Sequence, residues 1–102
     1  MRIISLKTLR DFWLRHRNAH GPLRDWYEMT ESARWRNFID VRQTFGSADV
    51  VRVASGNNVV VFDIAGNKYR LIAAIHYNTA VVYALTVLTH KDYDSDKWKA
   101  ML

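Results

Sequence analysis

The chain has 102 residues, 49% of them apolar, a formal charge of +5 and no cysteine. That length gives one small domain, spanning 1–102, with a single core, and the apolar content excludes a disordered chain. Without cysteine, disulfides and thiolate metal sites are excluded, as suits a reducing cytosol.

No run approaches the ~18 apolar residues that cross a bilayer, so no membrane association is expected. The opening Met1-Arg2-Ile3-Ile4-Ser5-Leu6-Lys7 is basic, but its apolar part is too short and interrupted for a secretory signal. It reads as the start of a folded domain, and a cytoplasmic location is expected. Ten of the fifteen cations fall in residues 1–52, against six acids. A small basic chain suits an anionic partner, whether nucleic acid, ribosome or acidic protein, or simply carries charge for solubility.

In chain order, Met1–Ile4 forms a short strand. Ser5 is a good N-cap, and Leu6, Leu9, Phe12 and Trp13 then recur at helical spacing. Gly21-Pro22 breaks and restarts the chain, with Pro22 suited to a first helical position. Leu23, Trp26, Tyr27, Thr30 and Ala33 mark one face of a second helix. These aromatic stripes read as core, with base stacking as the alternative. His16 and His20 flank a helix end as solvated surface. Arg34–Arg42 is either a short helix or a docked loop. Gly46 and Gly56-Asn57-Asn58 signal turns.

From there the chain reads as β. Val59–Ile64, Lys68–His76 and Ala80–Leu88 are rich in β-branched and aliphatic residues. Gly66-Asn67 and Asn78-Thr79 are read as short hairpin turns. A final helix starts near Thr89 and continues through Asp96-Lys97-Trp98-Lys99. The whole is an α+β domain, an N-terminal strand and two helices packed on an antiparallel sheet, with a short C-terminal helix.

Candidate chemistry gathers in the last third. Along Lys68–His76, Tyr69, Leu71, Ala73 and Ile75 alternate onto the face that meets the helices. Lys68, Arg70, Ile72, Ala74 and His76 take the other face, whose polar ends are expected to be accessible. A two-residue Gly66-Asn67 turn sets Asp63 opposite Arg70, so Arg70 is either functional or one half of a cross-strand ion pair. Thr89-His90-Lys91-Asp92 fits a capping box, which makes Asp92 structural. His90 and Lys91 then fall in the first helical turn, with His90 and Tyr93 three apart on one face. Free N–H groups there favour an anion, and a histidine there can move a proton near neutral pH. A surface histidine beside a packed tyrosine is the plainer reading. His76 is an outside candidate on the Arg70 side. Carboxylates do not cluster as a two-metal nuclease needs, none of the four histidines shows close zinc spacing, and no metal or cofactor is expected.

The stretches Phe62-Asp63-Ile64-Ala65-Gly66-Asn67-Lys68-Tyr69-Arg70-Leu71-Ile72-Ala73 and Leu88-Thr89-His90-Lys91-Asp92-Tyr93-Asp94 together resemble HigB-type toxins of bacterial toxin–antitoxin systems, within the RelE-like family. Ile3-Ile4-Ser5 with Leu9 is similar more weakly. The resemblance implies a RelE-like fold and a ribosome-dependent mRNA endonuclease that inhibits translation. It implies metal-free cleavage by the ribose 2′-hydroxyl. It also implies a helix-turn-helix antitoxin, through which alone the toxin reaches operator DNA. By the same resemblance Arg70 stabilises phosphate charge, His90 transfers a proton, and Tyr93 stacks a base, orients the 2′-hydroxyl or assists proton transfer. Lys68 and Lys91 bind neighbouring phosphates, with His76 a further RNA contact. The last strand ends Thr86-Val87-Leu88-Thr89-His90, without the second strand arginine of RelE itself.

Overall fold

The computed structural model describes all 102 residues. In order, the elements are β1 (Arg2–Ile4), α1 (Leu6–Arg15), a 3₁₀ turn at Arg17–Ala19, α2 (His20–Ser32), α3 (Phe38–Thr44), β2 (Asp49–Arg52), β3 (Asn58–Ile64), β4 (Tyr69–His76), β5 (Val81–Thr89), α4 (His90–Asp94) and α5 (Lys97–Met101). The five strands form one sheet in the order β1-β5-β4-β3-β2. β2 to β5 run antiparallel, and β1 joins the far side of β5 in parallel, so the sheet is mixed. The architecture is α+β, as the sequence reading expects. No helix is long and apolar enough to cross a membrane.

The first helices form where the sequence places them. Ser5 caps α1 by accepting from the Thr8 N–H, and Leu9 and Phe12 are its buried face. Leu23, Trp26 and Thr30 are the buried positions of α2. Pro22 is the third helical residue rather than the first. Its missing N–H has no intrahelical acceptor in that turn, so the helix accepts it there. Arg34–Arg42 resolves toward the helix alternative: Asn37 caps α3 by accepting from the Asp40 N–H at 3.0 Å.

Those helices cover one sheet face with a core of Leu9, Phe12, Leu23, Trp26, Trp35, Phe62, Leu71 and their neighbours. Phe62 is its hub, with ring centroids 5.4 Å from Trp26, 6.1 Å from Trp35 and 5.3 Å from Phe45. Such pairs add about 0.5–1.5 kcal/mol each beyond the area they bury.

The second face corrects an expectation. It is not an open polar surface: Val53, Val59, Val61, Ile72 and Trp98 bury one another there, with Val51, Leu88, Tyr93 and Leu102 against them. The cause is the C-terminal segment. It does not continue as one helix but breaks at Ser95-Asp96, where Asp96 takes a left-handed φ of 61°, and α5 folds back across the sheet. A bond from the Ala54 N–H to the Lys99 carbonyl, 3.0 Å, ties α5 to the β2–β3 connection.

Both late hairpins have longer loops than expected. The last β3–β4 pair is Ile64 with Tyr69, and Ala65 and Gly66 turn the chain with positive φ. The register is nonetheless the expected one, Asp63 opposite Arg70. The β4–β5 hairpin closes at His76 with Val81 through a 3₁₀ turn, Tyr77–Thr79, and a left-handed Ala80.

Candidate functional site

The β3–β4 hairpin, the end of β5 and α4 converge at one corner of the sheet. Arg70 sits opposite Asp63 on one side and Leu88 on the other, while Tyr69 pairs with Thr89. Beyond that pair the His90 N–H donates to the Lys68 carbonyl at 3.0 Å. One backbone bond therefore sets the start of α4 beside the hairpin loop. Thr89 caps α4, accepting from the Asp92 N–H at 3.2 Å. The threonine half of the capping box is thus present.

Arg70 is the most constrained side chain of the corner. It is only 9% exposed, where the sequence reading expected it accessible. Its Nε donates to Asp63 Oδ1 at 3.0 Å, its Nη1 to the Tyr69 carbonyl at 3.2 Å, and its Nη2 to Asn67 Oδ1. The Tyr93 ring covers the guanidinium, with the centroid 5.4 Å from Cζ. Burying a guanidinium is tolerated only with such partners. Asp63 and Asn67 thus join the site. The strand register pointed to Asp63. From the sequence Asn67 is a turn residue only, and its place in the hairpin loop three residues before Arg70 is the signal that points to it.

Tyr93 is half-buried, its ring in contact with both Arg70 and Trp98. Burial pushes its phenol above the ordinary value of 10.0, an effect that the Arg70 and Lys99 cations oppose. The hydroxyl therefore stays protonated through neutral pH and serves as a donor rather than a base.

His90 is different. It is 48% exposed, and its Nε2 lies 3.2 Å from Asp94 Oδ2, one turn along α4. That contact orients the imidazole and leaves Nδ1 as the other ring nitrogen for hydrogen bonding or proton transfer. His90 turns to Asp94 while Tyr93 turns inward over Arg70. With five residues, α4 has too few aligned peptides for the strong dipole field the sequence reading invoked. The cations of Lys68 and Lys91, both exposed, supply positive charge here instead.

His76 is not brought to this corner. It ends β4, six residues past Arg70 and so roughly 20 Å away along the strand. There it packs edge-on against Tyr83, centroids 5.1 Å apart. His16 stacks on Phe12 at 4.3 Å, and the exposed His20 meets Trp13 edge-on at 4.7 Å.

The corner thus combines a clamped guanidinium, a neutral phenol, an exposed imidazole oriented by a carboxylate and two free ammonium groups. Such a set can bind a phosphate diester and move a proton beside it. No curated protein matches the chain. Residues 19–96, which include Asp63, Asn67, Lys68, Arg70, His90, Lys91, Tyr93 and Asp94, match the HigB toxin family, described as the RelE-like toxic component of a toxin–antitoxin system. With that match covering most of its length, the chain belongs to the HigB toxin family.

Proposed function

We propose that this toxin is an mRNA endonuclease acting on translating ribosomes in the cytoplasm, held inactive by a cognate antitoxin. The antitoxin would carry the helix-turn-helix domain and the contact to operator DNA. The observation that carries the reading is the convergence of Arg70, Tyr93, His90 and Lys68 at one corner through the Asp63–Arg70 register and the His90–Lys68 backbone bond.

In the reaction the ribose 2′-oxygen attacks the adjacent phosphorus, the bond to the 5′-oxygen breaks, and the products are a 2′,3′-cyclic phosphate and a 5′-hydroxyl. One proton leaves the 2′-hydroxyl and one reaches the departing 5′-oxygen. His90 transfers a proton through Nδ1 while Asp94 holds Nε2. Because the nucleophile belongs to the substrate, ordering of mRNA by the ribosome supplies much of the orientation so small a protein cannot. Tyr93 donates its phenolic proton as a hydrogen bond or stacks a base. Lys68 and Lys91 hold flanking phosphates, and His76 meets RNA only well away from the cleaved bond.

Arg70 stabilises charge on the phosphorane-like transition state. To touch phosphate it must exchange its bond to the neutral amide of Asn67, an exposed residue in a loop, for one to an anionic phosphate oxygen, in which both partners are charged. Asp63 keeps Nε fixed during that exchange.

The chain is to be induced in bacteria with and without the neighbouring open reading frame, and mRNA ends mapped. Codon-phased cuts that the neighbour suppresses, and that Arg70→Ala and His90→Ala abolish, are the expected result. Intact cleavage in the double variant would remove these residues from the mechanism. One observation favours a second reading: Asp63 already neutralises Arg70. A toxin that only binds RNA or protein would arrest growth without new mRNA ends, and the arrest would survive loss of His90.

A further inference from the structure

We propose that Trp98 is a positioning residue for Tyr93, so that α5 sets the chemistry at the corner without touching RNA. The inference rests on the endonuclease reading for its kinetic consequence, though not for its geometry.

Trp98 is 5% exposed and is the only buried residue of α5. Its indole stacks on the Tyr93 ring, centroids 5.4 Å apart and planes 18° from parallel. Its Nε1–H donates to the Tyr93 carbonyl at 3.0 Å. The same residue thus fixes both the ring and the backbone of Tyr93. The Arg70 guanidinium also lies over that ring, its Cζ 5.4 Å from the centroid, so Tyr93 contacts both Trp98 and Arg70. Trp98 in turn is wedged among Val53, Val59, Val61 and Ile72 of the sheet. Lys99, whose Nζ lies 5.7 Å from the Trp98 ring centroid, is tied through its carbonyl to Ala54.

This arrangement answers a weakness of α4. A five-residue helix frays readily even with Thr89 capping its start and Ser95 Oγ donating to the Asp92 carbonyl at its end. Tyr93 lies in its last turn, where fraying is greatest, and the indole supplies rigidity that the helix itself lacks. Trp98 also lies outside residues 19–96, so the family match does not extend to the support.

Two variants separate positioning from bulk. Trp98→Phe keeps a stacking ring and loses the N–H, whereas Trp98→Leu keeps apolar volume and loses both contacts. Cleavage of mRNA on purified ribosome complexes is measured in single turnover against toxin concentration. Expected are a saturated rate for Trp98→Phe within about threefold of the parent, and a loss of tenfold or more for Trp98→Leu at unchanged half-saturation. In a Tyr93→Ala background Trp98→Leu should cost nothing further, since its effect passes through Tyr93. A saturated rate unchanged in Trp98→Leu, a loss confined to half-saturation, or a further tenfold loss in the Tyr93→Ala background would overturn the proposal.

NMR of the intact protein gives a readout independent of cleavage. In the parent, the Tyr93 ring protons carry the ring-current shift of the indole, and Arg70 Nε–H exchanges slowly. Trp98→Leu should speed that exchange while the Asp63–Arg70 strand amides stay protected. If the parent cuts no mRNA, the endonuclease reading fails and the NMR comparison alone decides whether Trp98 orders Tyr93. Unchanged Arg70 exchange in a folded Trp98→Leu protein would refute the positioning role.

Discussion

Arg70 and Asp63 face each other across β3 and β4, joined by a 3.0 Å bond from Nε to Oδ1, and the two partners are unequally buried. The arginine side chain is 11% exposed and the carboxylate 34%. Removing the carboxylate strands a desolvated cation, whereas removing the cation leaves a carboxylate that water can reach. Asp63→Ala should therefore destabilise the fold more than Arg70→Met, by about 1–3 kcal/mol against less than about 1.5. The double variant should recover most of the Asp63→Ala loss, because two apolar groups leave nothing unpaired. Urea denaturation of the three variants checks the order. Equal losses in both singles would show that the pair is exposed in solution.

The path from sequence to this pair was short, because a turn and a strand period fix it. Gly66-Asn67 marks the hairpin, and counting outward from it sets Asp63 opposite Arg70 even though the loop proves longer. Boundaries shifted by a residue, as with β4 beginning at Tyr69 rather than Lys68. The cover over Arg70 was not legible. It depends on Trp98 meeting Val61 and Ile72, residues far apart in the chain, after a break at Asp96 that no glycine or proline announces. The available signal was the run Val59-Val60-Val61-Phe62. It does not alternate, all four residues are buried, and such a run belongs to a strand covered on both faces. The parallel pairing of β1 with β5 was hidden for the same reason: three residues have no local pattern from which to read a distant partner.

The raised Tyr93 and Tyr77 phenols give the fold an alkaline limit. Burial is the leading cause in both. A phenol whose folded value lies above its unfolded 10.0 adds stability fully present below pH 10, and that stability is lost as pH rises through the folded value. Chemical denaturation should show little tyrosine-dependent change from pH 7 to 9 and a fall above 10. Tyr93→Phe and Tyr77→Phe should each make that fall shallower. An equally steep fall in the double Phe variant would assign the alkaline limit to other groups.

The cap of α4 predicts opposite outcomes at neighbouring positions. Thr89 Oγ1 accepts the Asp92 N–H, so Thr89→Ala should cost about 1 kcal/mol and speed amide exchange through His90–Asp94. Asp92 contributes its backbone to that bond, and its side chain is exposed, so Asp92→Ala should stay within about 0.5 kcal/mol. Thr89→Ser should restore the cap. A larger loss at Asp92 than at Thr89 would mean that the carboxylate, not the hydroxyl, holds the turn.

Charge placement along β4 distinguishes its two ends. Lys68 is beside the Arg70 corner and Lys91 lies on α4, while His76 stands at the opposite strand end. If the corner receives the phosphate chain, Lys68→Ala and Lys91→Ala should each weaken binding to ribosome-bound mRNA. Each should also make the logarithmic salt dependence shallower by about 0.7 per lost phosphate contact. His76→Ala should leave that slope unchanged, since His76 stands at the far end of the strand. The comparison is made on binding rather than cleavage, so it does not depend on His90. Fold effects are small, because Lys68, Lys91 and His76 are all exposed, with the Tyr83 edge contact the one packing interaction that His76→Ala removes. A slope altered by His76→Ala and left intact by both lysine variants would move the RNA path to the far end of the sheet. Arg70 would then stand as a structural cation neutralised by Asp63.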